Sequence, residues 1–105
     1  MAQALEDLLD ALEDVDDATR EEASKALGEL ADPATLEALI GACGDEYWTV
    51  RAHAGWGVAR IGGPKAVEAL IVLFNDSIME VRNEAVAAMA SMGATVVDRL
   101  IIALK

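Results

Sequence analysis

One stretch of the chain, residues 45–75, decides the fold, and its sequence is DEYWTVRAHAGWGVARIGGPKAVEALIVLFN. The first half of this stretch places apolar residues three and four positions apart, at Val50, Ala54, Val58 and Ile61. Because an α-helix turns once in about 3.6 residues, this spacing puts the apolar side chains on one face of a helix. The first half of the stretch therefore predicts an amphipathic α-helix.

A glycine and a proline separate this helix from a second one. Gly62 is suited to a helix end, where a left-handed backbone conformation is often needed. Pro64 is tolerated at the first position of a helix, because no backbone N–H is needed there. The apolar residues that follow again have helical spacing, and they are Val67, Leu70, Ile71 and Phe74. Residues 45–75 thus predict two helices joined by a short turn.

The same unit recurs when the sequence is shifted by 31 positions, with no gap. The residues that coincide are Asp14, Asp45 and Asp76; Arg20, Arg51 and Arg82; Ala23, Ala54 and Ala85; and Pro33 with Pro64. The third copy departs from the pattern, with Thr95 in place of the proline and Asp98 nearby. The chain is therefore predicted to be a single domain with a half repeat over 1–13 and whole repeats over 14–44, 45–75 and 76–105.

The repeat predicts an all-α protein. Seven antiparallel helices are expected at roughly 2–13, 17–30, 33–43, 46–61, 64–74, 77–92 and 95–104. One helix pair of this size cannot bury its apolar stripe alone, whereas stacked pairs bury it together. The predicted architecture is therefore a short α-α superhelix, or solenoid.

The composition limits the classes of partner. Of the 105 residues 54% are hydrophobic and 4% aromatic, which is enough for a core of small aliphatic side chains. The net charge is −11, and residues 1–44 hold 12 acidic and 2 basic side chains. Such a surface repels phosphate, so nucleic acid is not expected as a partner. The acidic half either forms a solvated face or docks a basic partner.

Three features of the sequence predict a cytoplasmic protein. No run of eighteen apolar residues suggests a membrane span. Glu6, Asp7 and Asp10 stand where a signal peptide would carry positive charge. A single cysteine, Cys43, cannot form an internal disulfide, which suits a reducing compartment.

The unit resembles a known repeat family. The residues that carry the resemblance are Asp45, Val50-Arg51, Ala54, Ile61-Gly62, Pro64, Ala66-Val67-Glu68 and Ala69-Leu70-Ile71. This pattern resembles the short HEAT-like repeat of the phycobilisome-lyase type, and it is similar to designed artificial proteins built from that repeat. Members include chromophore lyases, hydroxylases and adaptors, so the resemblance is specific for fold and nearly silent on function.

The resemblance also implies roles for particular residues. It implies that aspartate and arginine form a structural ladder between neighbouring repeats, comprising Asp14, Arg20, Asp45, Arg51, Asp76 and Arg82. It further implies that the side of the middle helix opposite its apolar stripe lies on the concave face of the solenoid. The residues predicted to form this binding face are Trp48, Thr49, Ala52, His53, Trp56 and Arg60, with Met79, Asn83 and Glu84 from the next repeat.

The predicted face holds both tryptophans and the single histidine of the chain. Tryptophan is enriched at the energetic centres of interfaces. Gly55 and Gly57 flank Trp56, where each costs about 1 kcal/mol relative to alanine in a helix, and they are expected to leave room beside the ring. Glutamates of the neighbouring repeats suggest an acidic rim, suited to a peptide with an apolar anchor and a basic residue. The alternative is that the tryptophans pack onto adjacent helices.

No catalytic residues, cofactor or metal site are predicted. A metal site needs several converging ligands, and the chain has one His and one Cys. Di-iron hydroxylases with HEAT-like repeats use His-Glu pairs, whereas His53 is followed by Ala54. No serine has a plausible histidine and acid to form a triad. The chain is therefore predicted not to be an enzyme.

The last predicted helix is apolar on most sides. One of its faces has no further repeat to cover it, so self-association is predicted through Val97, Leu100, Ile101 and Leu104, as in a symmetric dimer.

Three functions remain open at this point. The first is a protein-interaction scaffold with its site around Trp48 and Trp56. The second is a lyase-like or carrier subunit that binds a tetrapyrrole or another planar ligand between aromatic residues. The third is a designed scaffold with the same fold and site.

Overall fold

The computed structural model describes residues 2–93, and all regular structure in that range is helical. The six α-helices are α1 (Ala2–Ala11), α2 (Asp17–Leu30), α3 (Leu36–Ala42), α4 (Trp48–Ile61), α5 (Pro64–Leu73) and α6 (Met79–Ser91). A short 3-10 helix, Pro33–Thr35, leads into α3. The all-α solenoid predicted from the repeat is confirmed. The predicted helix at 95–104, including the four residues predicted to self-associate, lies outside the described residues.

Two helices begin two residues later than the sequence predicted. The reason is a turn built by the repeated aspartate before each helix. The Asp45 carboxylate accepts a hydrogen bond from the Tyr47 N–H at 2.8 Å, and Asp76 accepts one from the Ile78 N–H at 2.9 Å. An aspartate that bonds its own backbone two residues on holds a turn, so α4 and α6 start only after it.

The predicted glycine stops are confirmed at the ends of α4 and α6. Gly62 has a φ of 83° and Gly93 a φ of 92°, both in the region that favours glycine. At the same place in the first repeat stands Ala31, with a φ of 50°. A Cβ in this conformation costs roughly 1–2 kcal/mol, so the first repeat ends its helix under strain that the other two avoid.

The helices form two layers with the core between them. Helices α2, α4 and α6 lie side by side in one layer, and α1, α3 and α5 form the other. The fully buried side chains of this core include Leu27, Leu39, Val50, Val58, Leu70 and Val81. Helix α4 packs against both α2 and α6, whereas α3 and α5 in the other layer touch only slightly. Between residues 2 and 93, no helix has the length and apolar character that crossing a membrane requires.

Arginine–aspartate pairs link successive repeats. Arg20 donates from Nε and Nη2 to the two carboxylate oxygens of Asp45, at 2.9 and 3.2 Å. Arg51 donates in the same way to Asp76, at 2.7 and 3.0 Å. The Nη1 of Arg51 also donates to the backbone carbonyl of Asp45, at 2.8 Å. Each arginine therefore binds both its own repeat and the next, which fixes the register between them.

The ionisation of these pairs reflects the contacts. The Asp45 carboxylate, as a hydrogen-bond partner, raises the pKa of Arg20 above its already high ordinary value. The hydrogen bond from Arg51 holds the pKa of Asp76 below its ordinary value, with further help from the Ile78 N–H. Both groups are therefore fully charged at neutral pH.

The remaining two ladder residues are joined differently. The carboxylate of Asp14 accepts the Asp16 N–H at 2.9 Å, and only its backbone carbonyl receives Arg20. Arg82 donates to the backbone carbonyl of Asp76 at 2.7 Å. Within residues 2–93, neither Asp14 nor Arg82 forms an ion pair with a neighbouring repeat.

Two glycines allow α2 and α4 to approach closely. A Cβ placed on Gly28 would lie 3.0 Å from the Cα of Gly57, and a Cβ on Gly57 would lie 3.1 Å from the Cα of Gly28. Backbone-to-backbone contact of this kind leaves no space for a side chain at either position. The spacing of α2 and α4, and with it the shape of the surface above them, depends on this pair.

Candidate functional site

The predicted binding face lies along the exposed side of α4, between α2 and α6. Burial alternates along α4 because Val50, Ala54 and Val58 face the core and are fully buried. Trp48, His53 and Arg60 lie on the other side and are exposed or half-buried. The structure divides the predicted face into two grooves, one on each side of α4.

The groove between α4 and α6 has a volume of about 300 Å³. Its lining residues are Trp48, Thr49, Ala52, His53, Trp56 and Glu84. Six of the nine residues predicted for the binding face therefore meet in one groove. We call it the tryptophan groove. Met79 and Asn83 are exposed on α6 but are not part of its lining.

The groove between α2 and α4 has a volume of about 290 Å³. Its lining residues are Lys25, Gly28, Glu29, His53, Trp56, Gly57 and Arg60. We call it the glycine groove, because Gly28 and Gly57 lie at the contact of the two helices. Arg60, the remaining predicted residue on α4, belongs to this groove and not to the tryptophan groove. His53 and Trp56 form the ridge between the two grooves.

The two tryptophans differ in their surroundings. Trp48 is an exposed side chain, with 36% of its surface accessible. Trp56 is half-buried, packs against the core, and donates a hydrogen bond from Nε1 to the Glu84 carboxylate of α6. The two alternatives considered for the pair thus apply to one residue each: Trp48 presents its ring to solvent, whereas Trp56 is largely a packing residue with one edge in each groove.

The expectation that Gly55 and Gly57 leave room beside Trp56 is wrong for both. Gly57 lines the glycine groove, but a Cβ there would meet the Gly28 backbone and the Leu39 side chain, each at 3.1 Å. For Gly55 the expectation is wrong, because a Cβ there would meet Leu73 of α5 at 3.0 Å. Adjacent helix residues point about 100° apart, which turns Gly55 away from the tryptophan and into the interface with α5.

The predicted acidic rim has carboxylates on both sides of α4, and on one side they are mixed with cations. Glu84 is the carboxylate of the tryptophan groove, and it lies on α6. The glycine groove has Glu29 together with two cations, Lys25 and Arg60. On the α2 side, Glu21 lies against His53 and Glu29 lines the groove, so carboxylates of the predicted rim stand there beside two cations.

His53 is held by a neighbouring helix. Its Nε2 lies 3.5 Å from a carboxylate oxygen of Glu21 in α2. Within residues 2–93, no group of three or more His, Cys, Asp or Glu side chains could hold a metal ion. His53 is thus a polar link between α2 and α4 at the top of the ridge.

Some features of the site were not apparent in the sequence analysis. Thr49 lies on the predicted face, but its Oγ1 is buried and has no hydrogen-bond partner among the described residues. Gly28 was not singled out at all. The sequence does contain a sign of this contact. Glycine is unfavourable inside a helix, and Gly28 and Gly57 stand inside the first helices of consecutive repeats.

Comparison with known proteins supports the fold on independent grounds. The chain is similar to the crystal structure of an engineered protein, a Northeast Structural Genomics Consortium target, with a TM-score of 0.63 and 24% sequence identity. The similarity covers 83% of this chain and 44% of that one, so the chain spans less than half of the engineered protein. At this identity the match bears on the fold alone. No curated protein matches the sequence.

A family model covers the whole length. The model described as HEAT repeats matches residues 1–54 and again residues 42–105. The two matches overlap within the middle repeat, as expected for an array whose units follow one another without linkers. The finer resemblance to the phycobilisome-lyase type stays a prediction. The aspartate–arginine pairs, the paired helices and this match agree, and the chain belongs to the HEAT repeat family.

Proposed function

We propose that this protein is an interaction module that binds a segment of a partner protein across α4, with Trp48 as the exposed apolar contact. The observation that carries the proposal is the tryptophan groove, in which both indole rings and the Glu84 carboxylate line one concavity. HEAT repeats generally serve as scaffolds for protein–protein interaction. The proposal assigns that general role to a particular surface.

The layer spacing supports this choice of surface. The backbones of α2 and α4 touch at Gly28 and Gly57, whereas α3 and α5 in the other layer touch only slightly. A two-layer array bends toward its more closely spaced layer, which would make this side the concave one. Solenoids use their extended concave surfaces for binding.

The chemistry of the groove supports a segment with a basic residue beside an apolar one. A guanidinium or ammonium group can lie over an indole ring, an arrangement worth about 0.5–1 kcal/mol at an exposed site. Glu84 supplies the opposite charge at the same place. The alternative of a tetrapyrrole carrier draws on the family resemblance and on the two tryptophans, and no further feature of residues 2–93 adds to it.

The experiment is capture of partners from a lysate, followed by competition with peptides derived from the captured protein. The variants are Trp48→Ala and Glu84→Gln. The matched control is Val72→Ala, which removes an exposed apolar side chain (72% accessible) on α5, in the other layer. Far-UV circular dichroism confirms that all variants stay helical.

We expect the control to capture the same partner as the parent and Trp48→Ala to capture at least tenfold less. Glu84→Gln should weaken binding of a basic peptide and reduce its dependence on salt. Equal capture by the parent and Trp48→Ala would move the interface away from α4 and contradict the proposal.

A further inference from the structure

The glycine groove carries a concentration of positive charge that the overall composition does not suggest. The chain has a net charge of −11, yet Lys25 and Arg60 line the same groove. No carboxylate of residues 2–93 lies within 4.0 Å of the charged nitrogens of either side chain. Glu29, on the same wall, is thus not paired with them at that distance.

The other described cations are engaged elsewhere. Arg20 and Arg51 bind the ladder aspartates, and Lys65 lies 2.7 Å from Glu37, which raises its pKa. Arg82 donates to a backbone carbonyl. Lys25 and Arg60 are therefore the two cations of residues 2–93 that have no such contact, and they lie in one groove.

The lining of the groove also requires that the ligand carry an apolar group. Trp56 forms one wall, and Gly28 and Gly57 contribute to the lining where α2 and α4 touch. At about 290 Å³ the groove can accept a single apolar side chain and a small charged group together. A ligand that fits must offer a negative charge and an apolar group at short separation.

A C-terminal residue meets that requirement, and an internal acidic residue does not. In an extended segment, adjacent side chains point to opposite faces, and side chains on the same face are about 6.6 Å apart, so an internal acidic residue and an apolar one do not come as close together as two groups on one Cα. At a C-terminus the carboxylate and the apolar side chain share a single Cα. Both can then enter together.

We propose that the glycine groove binds the C-terminal carboxylate of a partner segment that ends in an apolar residue, with Lys25 and Arg60 at the carboxylate and Trp56 against the side chain. The inference rests on the proposed function and deepens it. It gives the bound segment a direction, with its basic residue in the tryptophan groove and its C-terminus in the glycine groove.

The probes are three small molecules: N-acetyl-phenylalanine, its C-terminal amide, and N-acetyl-aspartate amide. Binding is followed by ¹H–¹⁵N NMR titration at low ionic strength, with the Trp56 indole N–H as the local reporter. We expect the free carboxylate to bind weakly, about tenfold more tightly than its amide, which corresponds to about 1.4 kcal/mol. The aspartate amide should bind no better than the phenylalanine amide.

Variants that remove charges test which residues bind the carboxylate. The double variant Lys25→Gln/Arg60→Gln should lower affinity for N-acetyl-phenylalanine about tenfold. Glu29→Gln should raise it, because a competing negative charge is removed. Lys65→Gln is the matched control, since Lys65 is paired with Glu37 and lines a different groove between α3 and α5.

Equal affinity for the carboxylate and its amide, absence of binding by both, or indifference to the double variant would overturn the inference. Trp48→Ala separates it from the proposed function, because Trp48 does not line the glycine groove. This variant should lose the protein partner and still bind N-acetyl-phenylalanine. If partner capture depends on Trp48 but not on Lys25 and Arg60, the interaction surface stands and the carboxylate site falls.

Discussion

Gly28 and Gly57 hold the backbones of α2 and α4 in direct contact, with a Cβ on the first only 3.0 Å from the Cα of the second. Both glycines stand inside helices, where alanine is favoured by up to about 1 kcal/mol. Their presence is explained by the contact, since neither helix could approach the other with a side chain in the way.

Replacing Gly28 or Gly57 by alanine should therefore destabilise the protein. A Cβ at either position meets backbone, which cannot move aside as a side chain can, so the gain in helix propensity is outweighed and we expect a net loss of about 1–3 kcal/mol. Urea unfolding gives the free energy. The control is Gly41→Ala in α3, where nothing lies within 4 Å and stability should rise. Equal effects at the three sites would contradict the close contact.

The ladder should show a pH-dependent contribution to stability. Asp76 is nearly buried, with 8% of its side chain accessible, and Arg51 holds its pKa below the ordinary value of 3.8. Asp76→Asn should lower the free energy of unfolding by about 1–3 kcal/mol at neutral pH. A depressed pKa means that this contribution is complete above the unfolded-state value and is lost as the pH falls through the folded-state value. The difference between parent and variant should therefore shrink below about pH 4, measured by urea unfolding across the pH range.

Asp14→Asn is the matched control for this prediction. It occupies the same position in the first repeat, but its carboxylate accepts only the Asp16 N–H among the described residues. Its effect should stay within about 0.5 kcal/mol. A cost equal to that of Asp76→Asn would mean that the interrepeat arginine contributes little.

The two tryptophans should contribute unequally to stability. Trp56 packs against the core and bonds Glu84, so Trp56→Ala should cost about 1–3 kcal/mol. Trp48 is exposed, and Trp48→Ala should cost less than about 1 kcal/mol. Thermal unfolding of the two variants checks the order. The reverse order would mean that Trp48, not Trp56, is the packing residue, and would remove the main support for the proposed binding surface.

The single cysteine should be unreactive in the folded protein. Cys43 is buried, and desolvation raises the pKa of its thiol to about 12. The thiolate is the reactive form, so at pH 8 a thiol reagent such as DTNB should modify folded Cys43 at least about a hundredfold more slowly than the unfolded chain. Reaction at similar rates would mean that the C-terminal end of α3, next to Cys43, often opens locally.

The raised pKa of Cys43 also predicts that the free energy of unfolding falls as the pH rises above about 9, because the thiol ionises first in the unfolded chain.

Much of the fold could be predicted from local pattern. The spacing of Val50, Ala54 and Val58, with Gly62 and Pro64 after them, identified two helices and the turn between them. The positions of the described helices were predicted to within three residues because periodicity and capping are properties of neighbours in the chain. The later start of α4 depends on the side chain of Asp45, which holds a turn of its own.

The site could be predicted as a set of residues but not as a shape. The helical period places Trp48, His53 and Trp56 on one side of α4, and the structure agrees. It gives no information on which neighbouring helix each one meets. The difference in burial between the two tryptophans, and the separation of Arg60 into another groove, depend on the positions of α2 and α6.

The sequence by itself thus determined the repeat, the helices and the side of α4 that faces away from the core, because each follows from the spacing of residues along one chain segment. Only the tertiary structure decided that Gly28 contacts Gly57, that Trp56 reaches Glu84, and that Lys25 and Arg60 line the glycine groove and not the tryptophan groove. These relationships join residues 28–35 positions apart. They depend on the distance between helices, which is set by the packing of all the side chains between them.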